Sequence, residues 1–253
     1  MPGPVNLTRA AAVDGWLARL GRGLWAPRCL VCAEPASGRL DLCAGCEPAL
    51  PWMPPACRSC AMPLPPPACA ARGPPPLPGR LCSACQHDPP PLVEVQAAFL
   101  YGFPVDRLLP RLKFHRDLPA GRLLAQAMAA AFARVARPDA LVPVPLHPSR
   151  LRERGYNQAL ELARPLGRTL GIPVRRDLLL RIRATAPQSR LDAGARAANL
   201  RDAFEVPLHH EVPAHVALVD DVMTTGATLH AAADALLDAG VDRVDAWVCA
   251  RAP

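Results

Sequence analysis

The sequence predicts an α/β protein in which a small cysteine-rich module precedes a larger domain built on a central, mostly parallel sheet. Three observations carry that prediction. From Val95 onward, short apolar runs alternate with segments of helical period, the pattern of strands joined by helical crossovers. Before that point lie nine of the ten cysteines, eight of them in CxxC pairs. Late in the chain, the apolar run HVALV leads into Asp220-Asp221 and a Thr/Gly-rich turn that opens a helix.

At 253 residues, 51% of them hydrophobic, the chain can bury one full core and still carry a smaller appended module. Three regions are expected: residues 1–28, 29–94 and 95–253. The first reads as a short amphipathic helix with Leu7, Trp16, Leu17 and Leu20 near one face. Arg9, Asp14, Arg19 and Arg22 break its apolar run, so neither a membrane span nor a secretory signal is expected, and a cytoplasmic location is. In the second region the insert MPLPPPACAARGPPPLPGR excludes helix and central strand, and large apolar side chains are too few for a core. In the third, strands are expected near Ala97 to Tyr101, Leu141 to Pro145, Leu178 to Ile182, Val216 to Asp220 and Val244 to Cys249. Helices are expected near Val105 to Phe114, Gly121 to Ala136, Gln158 to Leu170 and Ala227 to Ala239.

The cysteine pairs explain what holds the middle region. Cys29-x2-Cys32 precedes Cys43-x2-Cys46, and Cys57-x2-Cys60 precedes Cys82-x2-Cys85. A CxxC hairpin turns two sulfurs toward one point, and two hairpins complete a tetrahedral thiolate site for zinc. Redox CxxC motifs or buried free thiols are the alternatives, and four spaced pairs favour metal. Two closed structural sites are expected, each supplying on the order of 10 kcal/mol of apparent folding energy. Sequential pairing is preferred over interleaved pairing because it closes shorter loops. Cys69 is left as an alternative ligand, and Cys249, in an apolar terminal strand, reads as a core residue. The formal charge of +7 would fall to +3 with two four-cysteine zinc sites of net charge −2 each, so basicity alone does not identify a nucleic-acid binder.

The turn after Asp220 and Asp221 carries the chemistry. Its backbone N–H groups, the Thr224, Thr225 and Thr228 hydroxyls and the positive end of the following helix suit a phosphate monoester. Gly226 permits close backbone approach, and the two carboxylates can accept hydrogen bonds from a vicinal diol such as the ribose 2′- and 3′-hydroxyls. An ordinary capped strand-to-helix turn would need only some of these residues. Upstream, Pro143-Val144-Pro145-Leu146 ends a strand in a stiff turn. Arg150, Arg152 and Arg154 then concentrate guanidinium groups suited to phosphate oxygens, or form a solvated run. Gly155 relaxes the backbone, and Asn157 and Gln158 can cap the next helix. Arg183 to Phe204, with mixed charge and few apolar anchors, reads as a mobile cover.

The stretch Asp220-Asp221-Val222-Met223-Thr224-Thr225-Gly226-Ala227-Thr228 resembles the phosphoribosyl pyrophosphate (PRPP) signature of type I phosphoribosyltransferases. The resemblance implies that type I fold, with Thr224, Thr225, Gly226, Ala227 and Thr228 holding the 5′-phosphate and with Asp220 and Asp221, as catalytic residues, holding the ribose beside Mg2+. From Cys29 onward the chain is also similar to the ComF family of competence-associated proteins, which pairs a cysteine zinc module with such a domain. LVPVPLHPSRLRERGYNQALELA resembles its pyrophosphate loop, which assigns Arg150, Arg152 and Arg154 to pyrophosphate. RATAPQSRLDAGARAANLRDAF resembles its mobile loop, with Gln188, Arg190, Arg196 and Asn199 at the recurring positions, and Lys113 matches a further one.

If the protein is an enzyme, the resemblance implies phosphoribosyl transfer to an acceptor, coupled to DNA uptake. Purine-salvage relatives carry an acid three positions after the second aspartate, where this chain has Thr224, so acceptor recognition does not transfer. The alternative is a non-catalytic protein that handles single-stranded DNA or docks other competence proteins, against which stands an aromatic content of 4%.

Overall fold

The computed structural model describes residues 28–36, 40–65, 79–184, 202–207 and 211–253. The expected N-terminal helix, Cys69 in the proline-rich insert, and Gln188, Arg190, Arg196 and Asn199 lie outside the described residues. The chain forms two compact units, Met1–Ala49 and Leu50–Pro253.

Within the first unit, the Cys29 hairpin is closed by the Cys29 N–H donating to the Glu34 carbonyl (2.7 Å) and the Ala33 N–H donating to the Cys29 carbonyl (2.9 Å). Ala33 takes a positive φ of 64° to make this turn. Leu42 is its fully buried anchor.

The second unit repeats the hairpin at Cys57. Here the Cys57 N–H meets the Met62 carbonyl (2.8 Å), the Ala61 N–H meets the Cys57 carbonyl (2.8 Å), and Ala61 has φ 53°. The second pair opens a short helix, α1 (Ser83–His87), with Cys82 at its N-cap and Cys85 within it. Then come β1 (Val95–Leu100), α2 (Val105–His115), α3 (Leu118–Phe132), β2 (Ala140–Pro143), α4 (Pro148–Arg154), α5 (Gln158–Leu170), β3 (Leu180–Arg181), β4 (Phe204–Glu205), β5 (His215–Met223), α6 (Ala227–Asp238) and β6 (Arg243–Arg251).

A four-stranded parallel sheet in the order β1-β6-β5-β2 confirms the expected fold class. Its central strands are buried on both faces, as a covered parallel sheet requires. On one face, α3 and α5 pack against each other and the sheet, with Phe132 on Trp247 at 5.2 Å between ring centroids. On the other, Leu229, Ala232, Ala233 and Leu236 of α6 join Val142, Val216, Leu218 and Val248. The β1 edge is partly covered by Pro51–Arg58, through the Met53 N–H to the Ala98 carbonyl (3.0 Å) and the Val95 N–H to the Arg58 carbonyl (2.7 Å).

Three elements differ from expectation. Among the described residues, the run Leu178 to Ile182 pairs as β3 with β4, in a separate antiparallel ribbon. Leu180 and Ile182 are exposed, which a central parallel strand does not allow. Beside β2, Val174 bridges Leu141 instead. Helix α3 starts at Leu118 and not Gly121, because Asp117 caps it by accepting from the Ala120 N–H (3.1 Å) with a proline in the first turn. The arginine-bearing segment after Pro145 is helical, as α4, and ends at Gly155 with φ 83°.

Candidate functional site

Both candidate loops lie at the carboxyl edge of the sheet, where α/β proteins bind ligands. Pro143 of β2 is in register with Val219 of β5, and the Val144 N–H donates to the Val219 carbonyl (2.9 Å). The turn after β2 therefore stands beside Asp220. Asn157 fastens its far end: Nδ2 donates to the Val144 carbonyl (3.0 Å), while Oδ1 caps α5 by accepting from the Ala159 N–H (3.0 Å).

After Met223 the chain turns through Thr224 and Thr225, both exposed, into α6. Gly226 is required twice over. Its φ is 84°, and a Cβ there would lie 2.7 Å from Met223 Cε and 2.9 Å from His230 Nε2. The loop and Asp220 line a cavity of about 50 Å³ at the start of α6, where the Ala227 N–H donates to Thr225 Oγ1 at 3.5 Å.

The two aspartates differ in environment. Asp221 is 4% exposed and its Oδ2 pairs with Lys113 Nζ on α2 at 3.1 Å. The sole lysine of the chain is thus delivered to the acid pair. Asp220 accepts from the Asp221 N–H (2.8 Å). Burial first, then the neighbouring Asp221 charge, holds the Asp220 carboxyl well above the usual carboxylate range, with the Asp221 N–H and Lys113 opposing. A cation or hydroxyl donor brought to Asp220 would favour its ionised form.

Of the arginines, Arg150 and Arg154 fall on one face of α4 and Arg152 on the opposite, exposed face. Arg154 Nη1 donates to Gln158 Oε1 (2.6 Å), and its guanidinium lies 5.7 Å from the centre of the exposed Phe114 ring. Burial first, then the nearby Arg150 cation, disfavours the charge on Arg181 of β3, whereas Asp220 favours it.

Arg181, stacked on Phe204 at 5.4 Å, is a candidate site residue that sequence reasoning missed. Its signal was a cation in the otherwise apolar run LLLRI. His230 was missed as well. Its Nε2 is buried behind Gly226, and burial lowers its pKa against the pull of Asp234 and Asp88.

The cysteines gather sequentially. Cys29, Cys32, Cys43 and Cys46 form one group and Cys57, Cys60, Cys82 and Cys85 the other, all sulfurs of a group within 4.8 Å of one another. Sulfur separations of 3.5 Å (Cys32 to Cys43), 3.8 Å (Cys46 to Cys32) and 3.7 Å (Cys60 to Cys82) match the about 3.8 Å edge of a tetrahedron with 2.3 Å Zn–S bonds. Each group could hold one zinc ion. Against burial, N–H groups of Cys32, Cys43 and Val31 bring Cys29 down to about 6, and those of Cys82, Ser59 and Cys60 bring Cys57 down to about 7, while burial and the neighbouring thiols push Cys46 up to about 12 and Cys60 up to about 11. Cys249 is fully buried in β6, as expected of a core residue.

Together these features define an α/β protein with two four-cysteine groups that could each hold a metal ion and a Thr/Gly-rich turn beside an acid pair. No family model matches the chain. It is 34% identical over 230 residues to the DNA utilization protein YhgH of Salmonella typhi, covering 88% of this chain and 96% of that protein. With competence protein F of Haemophilus influenzae it shares 36% identity over 179 residues, 68% of this chain and 78% of that one. With competence protein ComFC of Bacillus subtilis it shares 32% over 148 residues, 57% and 58% of the two chains. The chain belongs to the ComF family. No helix among the described residues is long and apolar enough to cross a membrane.

Proposed function

We propose that residues 95–253 form a type I phosphoribosyltransferase-like domain that binds PRPP with Mg2+, and that the protein acts in DNA uptake and use, as the names of its relatives suggest for them. Residues 29–94 form its zinc module, with Zn2+ structural at both four-cysteine groups. The observation that carries the reading is the meeting, at one sheet edge, of the Asp220 and Asp221 pair, the Lys113 cation, the Thr224–Thr228 turn and Arg150 with Arg181.

Charge and geometry support the following division of labour. Loop amides and threonine hydroxyls receive the 5′-phosphate. The aspartates accept from the ribose hydroxyls and orient the sugar. Lys113, Arg150 and Arg181 favour negative charge as the bond from the anomeric carbon to pyrophosphate oxygen breaks, its electron pair leaving with pyrophosphate and the acceptor's lone pair forming the new bond. Arg154 extends the basic surface beside Arg150, Arg152 projects from the opposite face of α4 and is left to solvent, and the segment with Gln188, Arg190, Arg196 and Asn199 belongs to the same site by sequence signature. When bound, Mg2+ supplies charge neutralisation of the phosphoryl oxygens, and the acid pair is the group that would hold it.

A second reading, single-stranded DNA handling or partner docking without catalysis, draws on one observation. Phe114 is 66% exposed and Arg154 lies over its ring, an arrangement on which a base can stack.

Isothermal titration tests the first reading. PRPP with Mg2+ is expected to bind the zinc-loaded protein, and ribose 5-phosphate or pyrophosphate alone to bind more weakly. Equal affinity for all three would remove the case for a PRPP site.

A further inference from the structure

Arg251, the last residue of β6, is 6% exposed and joins two parts of the second unit, the cysteine hairpins and the turn after β5. Its Nε donates to the carbonyl of Cys60 (2.9 Å), one of the four thiol residues of the Cys57, Cys60, Cys82 and Cys85 group. Its Nη1 donates to the carbonyl of Met223 (3.2 Å), the residue immediately before Thr224, and also to the carbonyl of Ala252. Met223 in turn touches Gly226, since a Cβ on that glycine would fall 2.7 Å from Met223 Cε. A continuous line of contacts thus runs from the cysteine group through one guanidinium to the turn that the proposed function assigns to phosphate.

A buried guanidinium needs acceptors and compensating negative charge, and a four-thiolate zinc site of net charge −2 supplies the charge. The Cys60 carbonyl is presented by the tight Cys57 hairpin, whose turn requires Ala61 at positive φ. Four thiolates converging on one point hold that shape only while a cation balances them. Remove the cation, and the carbonyl that anchors Nε is free to move.

We propose that Arg251 is a positioning residue that couples the Cys57/Cys60/Cys82/Cys85 metal site to the Thr224–Thr228 turn, so that metal at this site, and not at the Cys29/Cys32/Cys43/Cys46 site, sets the order of the turn and its affinity for a phosphorylated ligand. The affinity half of this inference rests on the PRPP reading; the order half does not.

The test compares full-length wild type with Arg251→Met, Arg251→Lys, Cys82→Ser and Cys43→Ser. Zinc content, hydrogen exchange of backbone amides 223–228, and titration with PRPP and Mg2+ are read for each. Arg251→Met is expected to keep two zinc ions yet exchange the turn about tenfold faster and bind PRPP about tenfold more weakly, the loss expected for one charged hydrogen bond. Arg251→Lys keeps the charge but cannot span both carbonyls, so it should show the same turn signature if Arg251→Met fails to fold. Cys82→Ser should lose one zinc and reproduce that signature, while Cys43→Ser should lose one zinc and leave the turn unchanged.

Wild-type exchange in the turn of both Arg251→Lys and Cys82→Ser would overturn the proposal. So would an equal effect from Cys43→Ser. Failure of wild type to bind PRPP would instead count against the functional reading, and the exchange data would still decide the coupling.

Discussion

Gly226→Ala isolates what the turn after β5 demands of its sequence. The substitution forces a side chain onto a backbone with φ 84°, which costs about 1–2 kcal/mol for an L-residue in the left-handed region. It also places Cβ 2.7 Å from Met223 Cε and 2.9 Å from His230 Nε2, closer than atoms pack, and relieving such overpacking costs about 1–3 kcal/mol more. The total is about 2–5 kcal/mol, or a fall in Tm of about 4–20 °C for a unit of this size.

Gly240→Ala is the internal control. That glycine has φ 97°, but a Cβ placed on it would meet nothing within 4 Å, so only the backbone cost of about 1–2 kcal/mol applies. Thermal unfolding of both variants, with PRPP titration of each, separates the effects: Gly226→Ala should lose more stability and lose binding, and Gly240→Ala should retain binding. Equal losses in Tm with PRPP binding intact in both would refute the assignment of Gly226 to a tightly packed anion turn.

Further predictions concern the acid pair and the metal sites. Lys113→Met removes the cation 3.1 Å from the buried Asp221 carboxylate; because the lysine is 33% exposed, a loss of about 1–2 kcal/mol is expected in chemical unfolding, below that of a fully buried pair. Asp220→Asn should raise Tm at neutral pH, since burial and Asp221 disfavour the ionised carboxyl in the folded chain. Both states are protonated below the unfolded pKa of about 3.9. The cost of ionisation appears as pH rises above that value, so the gain from asparagine should fade as pH is lowered, while PRPP binding is lost at every pH. Metal analysis should find two zinc ions per chain, one after Cys43→Ser, and a chelator should release both with loss of cooperative unfolding of the cysteine hairpins.

The parts that followed from sequence did so because their physics is local. Alternation of apolar runs specified β1, β2, β5 and β6 to within a few residues, since each strand is buried along its length. CxxC spacing identified both thiol groups because two residues between sulfurs fix a hairpin. The Asp220-Asp221 pair and Gly226 were legible for the same reason: acid residues, threonines and a glycine are adjacent in the chain. What escaped depends on tertiary packing. Leu178 to Ile182 carries strand composition, yet its place in a side ribbon is set by Phe204, more than twenty residues away in sequence. The α4 helix hid behind prolines at 143, 145 and 148, although Pro148 is at a helix start, where its missing N–H costs nothing. Arg181 and Arg251 reach the site from strands distant from the turn in sequence, with only the cation in the apolar run LLLRI hinting at Arg181, while His230 comes into contact with Gly226 by folding back one helical turn on α6.

The central claim is that the acid pair and the turn after β5 form one PRPP site. Titration of PRPP and Mg2+ into the zinc-loaded chain and into the Asp220→Asn, Asp221→Asn double variant tests it most directly. Micromolar binding by the wild type that disappears in a folded double variant is the predicted result. Absence of wild-type binding, or binding that survives in the double variant, would contradict it.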